Sequence, residues 1–437
     1  MGGPARDQLD ASAPAVNPRR RDALLRLHAL LADDALHSRP PAAAYERFCQ
    51  ELSESGLAIR RAQMGFALLH PQVRSRTFTY RRGAGVSEAT FGHEPVAADD
   101  GWTSSPFHHL ITSGVGELRH RLRTVEDCAA FRILAELFPE GVTDYFAAIR
   151  SFHWNVTHIE GGQMGLVSSF ACDAPEGFSD EDLAFLRAAM TAMAASFKTQ
   201  VMEAVAHDVL AAYVGRDAAR RALGGSILRG VIVELQAVLL FADLQGFTRY
   251  SLAHPPAAVV ELLDTTFDAV TEAVTAEGGE ILKFLGDGLL AVFLLDGGRG
   301  TGEAVDAALR AALHAQQKLR SLPGGPPLPL DMAVHIGPVE YGNVGAANRL
   351  DFTVVGPCVN AASRLEKLCE TLRQPIVVSP EVRAVGSAMT ERLVDCGSHE
   401  VRDLGRLPIF ALPVDEDREE AAQPPASQAA GDAPSGG

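Results

Sequence analysis

The chain has 437 residues, 47 % of them apolar and 22 % charged, and a formal net charge of -16. That length suits two ordinary domains, and the acidic balance excludes a general nucleic-acid or anionic-membrane binder, so any nucleotide site has to be a local basic or metal-bearing feature. No apolar run reaches the roughly 18 residues that cross a bilayer, and the N-terminal "MGGPARDQLDASAPAVNPRRR" lacks the apolar core of a secretion signal, so a cytoplasmic protein is expected.

Residues 1–20 are polar and read as disordered. Amphipathic helices are expected over 22–34 and 41–54. From Ala62 the pattern turns extended: "AQMGFALLHP" and "SRTFTYRRG" read as a hairpin, and further strands are expected over 145–154 and 162–171. A long helix follows over 179–214, with Ser179 as N-cap, Asp182 three residues on and Gly215 at its end. "GRDAARRALGGSILRG" (215–230) reads as a short helix and a glycine-containing joint. The domains expected are a sensor or regulatory domain over 22–178, a signalling helix and linker over 179–233, a catalytic domain over 234–414 and a disordered acidic tail over 415–437.

Within 234–414 the expected order is a strand (237–243), a helix (256–276), a hairpin (280–294) and a helix (302–322). Paired strands (330–345), a helix (358–372) and short strands near 376 and 407 follow. Strand–helix–strand units around a hairpin point to an α+β sheet with helices on one face. Six cysteines lie scattered with no C-x-x-C spacing, which fits reduced thiols. Fourteen histidines show no H-E-x-x-H pattern, against a zinc site. The His-His pair in "PFHHL" reads as loop surface, and "GGRGTGEA" (297–304) as a flexible connection.

The chemistry concentrates in three places. In "VLLFADLQGFTRYS" an apolar strand ends on a carboxylate, Asp243. In "EILKFLGDGLLAVF" a hairpin turns at Gly286-Asp287-Gly288, a common turn because Asp and Gly both tolerate positive φ. Two carboxylates at the ends of neighbouring strands repel, and hard divalent cations resolve that, since they take one or two carboxylates together with substrate phosphates. The Leu244 carbonyl offers a further oxygen, and "QGFT" turns the chain into a helix whose first amides can receive phosphate. In "VNAASRLEKL" Asn360 and Arg364 stand four residues apart on one helical face. Val359, Ala362, Leu365 and Leu368 form the docked stripe, and an Arg so placed suits a phosphoryl group.

"FADLQGFT", "KFLGDG" and "GPCVNAASRLE", in this order and spacing, resemble the class III nucleotidyl cyclases over about 234–412. The resemblance implies a ferredoxin-like α+β catalytic domain. It implies that Asp243, Leu244 and Asp287 hold two Mg²⁺ or Mn²⁺ ions per active site, that Asn360 orients the ribose, and that Arg364 stabilises charge on the α-phosphate. Lys283 and Thr353 match the pair that reads the purine, and Arg402 in "HEVRDLG" matches the basic residue on the terminal phosphates. The family usually has Gly after that position, where this chain has Asp403. Catalytic domains of the family pair head to tail. One protomer gives the metal aspartates and the other gives the purine-reading pair, Asn and Arg, so a homodimer with composite sites is implied.

Base choice can also be read from the residues. The 39 basic residues comprise only four lysines, Lys198, Lys283, Lys318 and Lys367, and otherwise arginine. A lysine kept at "ILKFL" suggests a compact donor is needed there. A donor suits adenine, whose ring nitrogen 1 is an acceptor, and Thr353 can accept from adenine's amino group. In the family, guanylate cyclases carry Glu and Cys at these places, and Thr at the second resembles class IIIb. The strands followed by a long helix resemble α/β GAF-like sensor domains attached to bacterial cyclases, which leaves open a small-molecule ligand or a dimerisation domain without one. The expectation is an adenylate cyclase acting on ATP and regulated by its N-terminal domain, with neither nucleic acid nor membrane as partner. The alternatives are a guanylate cyclase or a catalytically inactive nucleotide-binding signalling module. No G-G-[DE]-E-F run supports a diguanylate cyclase.

Overall fold

The structure, a computed structural model, describes residues 18–93, 101–156, 163–295, 298–323 and 328–414. They form two units, Met1–Ala212 and Tyr213–Gly437. Of the expected disordered ends, 1–17 and 415–437 lie outside the described residues, while 18–20 already belong to a helix.

The first unit runs α1 (Pro18–Leu36), α2 (Pro41–Glu54), β1 (Ile59–Ala67), β2 (Val73–Arg81), β3 (Gly85–Gly92), α3 (Pro106–Ser113), β4 (Glu117–Arg121), α4 (Arg132–Leu137), β5 (Asp144–Asn155), β6 (Gln163–Cys172) and α5 (Asp180–Val214). Its six strands form one sheet in the order β3-β2-β1-β6-β5-β4, and neighbours run antiparallel throughout. The α/β expectation is therefore corrected to α+β: without parallel pairs there are no crossover helices between strands. Period-two alternation explains the two cores. Phe146 and Ala148 of β5 face a core with α1, α2 and α5, where Phe48, Phe78, Phe170 and Phe197 pack. Tyr145 and Ala147 face the opposite core under α3 and α4. The His-His pair, His108 and His109, lies on α3, where His108 meets Trp102 and His109 meets Phe131 edge-on, and not in a loop.

The start of α5 follows the expected cap. The Ser179 hydroxyl accepts from the Asp182 amide at 3.1 Å, and the Asp182 carboxylate accepts from the Ser179 amide at 3.0 Å, a reciprocal box. Between Leu183 and Val205, α5 buries one face in the core of its own unit and exposes Thr191, Ala195, Lys198, Thr199 and Glu203 on the other.

The second unit begins with α6 (Arg216–Leu223). It continues through β7 (Ile232–Leu244), α7 (Phe247–Ala253), α8 (Pro256–Ala276), β8 (Glu280–Leu285), β9 (Gly288–Leu294), α9 (Thr301–Arg320), β10 (Leu330–Ala346) and β11 (Arg349–Val355). It closes with α10 (Pro357–Glu366), α11 (Leu368–Leu372), β12 (Ile376–Val378), α12 (Pro380–Arg383), β13 (Val394–Val401) and β14 (Gly405–Ala411). The described strands order as β13-β14-β12-β10-β7-β9-β8, with β11 also on β10, and only β10 and β12 run parallel.

Helices cover both faces, which corrects the one-face expectation. Val238, Leu240 and Ala242 of β7 pack under α8 and α9, while Ala237 and Leu239 meet Cys358 and Ala362 of α10. The expected paired strands over 330–345 are one strand, β10, whose hairpin partner is β11. Pro338 is tolerated inside it because it falls between the last residue bonded to β12, Val334, and the first bonded to β11, Glu340, where no partner needs its missing N–H. The expected helix 358–372 breaks at Lys367 into α10 and α11.

Helix α6 is tied to this sheet through Asp217. Asp217 accepts from Arg221 at 2.6 Å and from the Tyr341 hydroxyl at 2.8 Å, and its amide donates to Glu280 at 2.7 Å. The Arg221 guanidinium lies 5.2 Å from the centre of the Tyr341 ring.

Candidate active site

Antiparallel pairing of β7 with β9 sets Asp243 opposite Gly288, the residue after Asp287. The approach is close: a Cβ at Gly288 would stand 2.6 Å from Asp243 Oδ1, so only glycine fits. Leu285 and Gly288 close a two-residue loop in which Gly286 has φ 75°. Asp287 does not share that left-handed backbone, so the turn has the glycine-first pattern of a type II′ hairpin and not positive φ at both residues. Burial first, and then the charge of Asp287, push the Asp243 carboxyl up to about 6, against the opposing pull of Lys367. Leu244 ends β7 beside Asp243, and Gly246 at φ 77° turns the chain into α7.

Two acidic residues that the sequence reading passed over stand with this pair. Asp331, the second residue of β10, lies directly across from Asp243. Burial, then Glu370 and Asp243, push it to about 6. Glu366, at the end of α10 and only 6 % exposed, is pushed to about 7 by burial, then Asp243 and Asp331. Asp331 carries the signal that exposed Asp243, a carboxylate at the end of an apolar strand. Glu366 carries none, because its burial is tertiary.

A carboxyl whose folded pKa is raised contributes its full stability below its ordinary pKa and loses it as pH rises through about 7. Glu366→Gln mimics the neutral acid. In thermal unfolding of the chain in EDTA, its stabilising effect should be larger at pH 8 than at pH 5, by roughly 1–2 kcal/mol. An equal effect at both values would rule out this reading of Glu366.

Hard oxygen donors that repel one another fit divalent cations. Among the described residues no three His, Cys, Asp or Glu side chains converge as a cage. A magnesium site that completes its shell with substrate phosphates and water does not need one.

The purine-reading candidates lie on β8 and β11, strands that are not paired in the sheet but are joined by a side-chain contact. Lys283 of β8 forms an ion pair with Asp351 of β11, and Thr353 follows two residues later on the same face of β11. Asp351 is a site neighbour that the sequence reading did not name, and it holds the ammonium group in place.

Asn360 and Arg364 open onto one cleft of about 580 Å³, lined also by Gly356, Pro357, Asp403 and Leu404. Helix α10 docks through Cys358, Ala361, Ala362 and Leu365, with Val359 and Leu368 only partly buried, a shift of the expected stripe that leaves Asn360 and Arg364 outward. Neither Asp243 nor Asp287 lines this cleft. Arg402 stands in the turn between β13 and β14, 88 % exposed, and is absent from the cleft wall.

Residues 234–413 match the family described as the adenylate and guanylate cyclase catalytic domain. An adenylate cyclase of Anabaena cylindrica is 34 % identical over 154 residues, 33 % of this chain and 29 % of that protein. Adenylate cyclase 1 of Rhizobium meliloti (strain 1021) is 30 % identical over 181 residues, 40 % of this chain and 27 % of that protein. The chain thus spans less than a third of these curated relatives. Among solved structures, the adenylyl cyclase CyaB from P. aeruginosa is 25 % identical, with 43 % of this chain and 97 % of that one covered and a TM-score of 0.37.

Proposed function

Residues 234–413 belong to the class III adenylate and guanylate cyclases, and from that premise we propose that the protein is an adenylate cyclase, converting ATP to 3′,5′-cyclic AMP and pyrophosphate. The observation that carries the reading is the close approach of Asp243 to the Asp287 turn, two carboxylates whose mutual repulsion leaves a place for divalent cations. Bound through Asp243, Asp287 and the Leu244 carbonyl, two such ions would acidify the ribose 3′-hydroxyl and offset phosphate charge. Asn360 holds the ribose. Arg364 faces the α-phosphate and stabilises the charge that grows as the 3′-oxygen–phosphorus bond forms and the bond to pyrophosphate breaks. Lys283, held by Asp351, donates to adenine, and Thr353 accepts from its amino group.

Two features support a composite site between two copies. The cleft of Asn360 and Arg364 excludes both aspartates. The second unit also exposes Ile232, Val233, Phe284, Leu285 and Leu350, apolar side chains suited to a partner copy. A regulatory role for the first unit is supported by an apolar cavity of about 420 Å³, bounded by Phe66, Trp102, Phe107, Leu110 and Arg74, which suits a small-molecule ligand. In the second unit, Asp217 ties α6 to β8, the strand that carries Lys283, and to β10, the strand paired with that of Thr353. Among the described residues no helix is long and apolar enough to cross a membrane.

Incubation with ATP or GTP and Mg²⁺ or Mn²⁺, with product identification, tests the reading. Cyclic GMP as main product would make it a guanylate cyclase, and no product with either nucleotide would leave a binding module. Lys283→Glu with Thr353→Cys should lower the ATP-to-GTP ratio of kcat/KM by about 10-fold or more, because both hydrogen-bond polarities reverse. An unchanged ratio would show that the purine pocket lies elsewhere.

A further inference from the structure

The turn between β13 and β14 sets a carboxylate against the arginine assigned to the phosphate. Val401 and Gly405 close this turn, leaving Arg402, Asp403 and Leu404 in the loop. Asp403 has φ 59°, a left-handed backbone that Asp and Asn accept more readily than other residues with a Cβ. From there its Oδ2 lies 2.6 Å from Arg364 Nη2 and 3.7 Å from Arg402 Nε. Asp403 and Arg364 face each other in the wall of the same cleft, with Asn360 beside them.

We propose that Asp403 sets the affinity of this cleft for polyphosphate: its carboxylate occupies the Arg364 guanidinium until phosphate oxygens displace it. The inference rests on the reading of Arg364 as the phosphate-facing group. A carboxylate and a phosphate compete for the same planar donors. While Asp403 is paired, the cleft is nearly neutral at the point where a polyanion has to enter, and once Asp403 is displaced it repels that polyanion. Asp403 is 60 % exposed and Arg364 30 % exposed, so the pair is screened and its contribution to folding is small. The effect is therefore on binding and not on stability.

Asp403→Asn and Asp403→Gly both keep a residue that accepts positive φ, and both remove the charge. Isothermal titration of each with inorganic triphosphate in Mg²⁺ should show a Kd about 3–10-fold lower than in the unaltered chain. In the cyclase assay KM should fall by a similar factor while kcat stays within about twofold, a split that a merely structural role would not produce. In an Arg364→Ala background the gain from Asp403→Asn should vanish. A Kd unchanged or raised in both variants, or a gain that survives without Arg364, would overturn the proposal. A fall in kcat would show that Asp403 instead orients Arg364 for the reaction, which also overturns it. If the unaltered chain makes no cyclic nucleotide, the cyclase reading fails, and the triphosphate titration still decides this one.

Discussion

Asp243→Ala or Asp287→Ala is expected to lower cyclase turnover by about 10³-fold or more, with a melting temperature that holds or rises. The loss follows from removing an oxygen ligand of cations that serve both the attacking and the leaving oxygen. The thermal result follows from the fold. Burial and the charge of Asp287 already disfavour the ionised Asp243, and Asp331 lies directly across the strands from it, so deleting one carboxylate relieves repulsion between like charges. Product formation followed by chromatography, together with thermal unfolding, reads both quantities. Near-normal turnover in either variant would defeat the two-metal reading. A drop of many degrees in melting temperature with lost turnover would instead make the carboxylate part of the folding core.

The second large effect concerns the site shared between copies. Asp243→Ala and Asn360→Ala homodimers should each be almost inactive, because every site lacks one group. Co-expressed, the two variants form mixed dimers in which one site carries both lesions and the other carries neither. Random pairing makes about half the dimers mixed, each with one intact site of two, so roughly a quarter of the unaltered activity should return. The exclusion of Asp243 and Asp287 from the cleft of Asn360 and Arg364 is the structural reason to expect this. Co-expressed variants that dimerise without any recovery would place Asp243 and Asn360 in one site within one chain.

Much of this arrangement was legible in the residues. Helix 256–276 ends where expected because Pro256 fixes its first turn and "EGG" ends it. The 179 cap is visible because Ser and Asp three apart satisfy each other's amides without help from the rest of the chain. Asp243 stands out because a carboxylate ends an apolar strand, whereas Asp287, Asn360 and Arg364, which a hairpin turn and an outward helix face would explain alone, stand out through the order and spacing of the three motifs. The strands β3, β4, β11 and β13 were missed, as was the reach of β10 across Gly337-Pro338. Each depends on which neighbour bonds to it, and a local window contains no neighbours.

Most helices, the order of the three motifs and the chemical character of Asp243, Asp287, Lys283, Thr353, Asn360, Arg364 and Arg402 can be read from the residues alone. Those properties depend on residues within a few positions of one another, where propensity, capping and turn geometry act. Only the tertiary structure decided that Asp331 lies opposite Asp243, that Glu366 is buried beside them, that Asp351 takes Lys283 and that Asp403 takes Arg364. Each partner comes from a different strand, helix or turn, and their charges interact because sheet register and helix docking bring them within a few ångströms, where burial strengthens the interaction between charges.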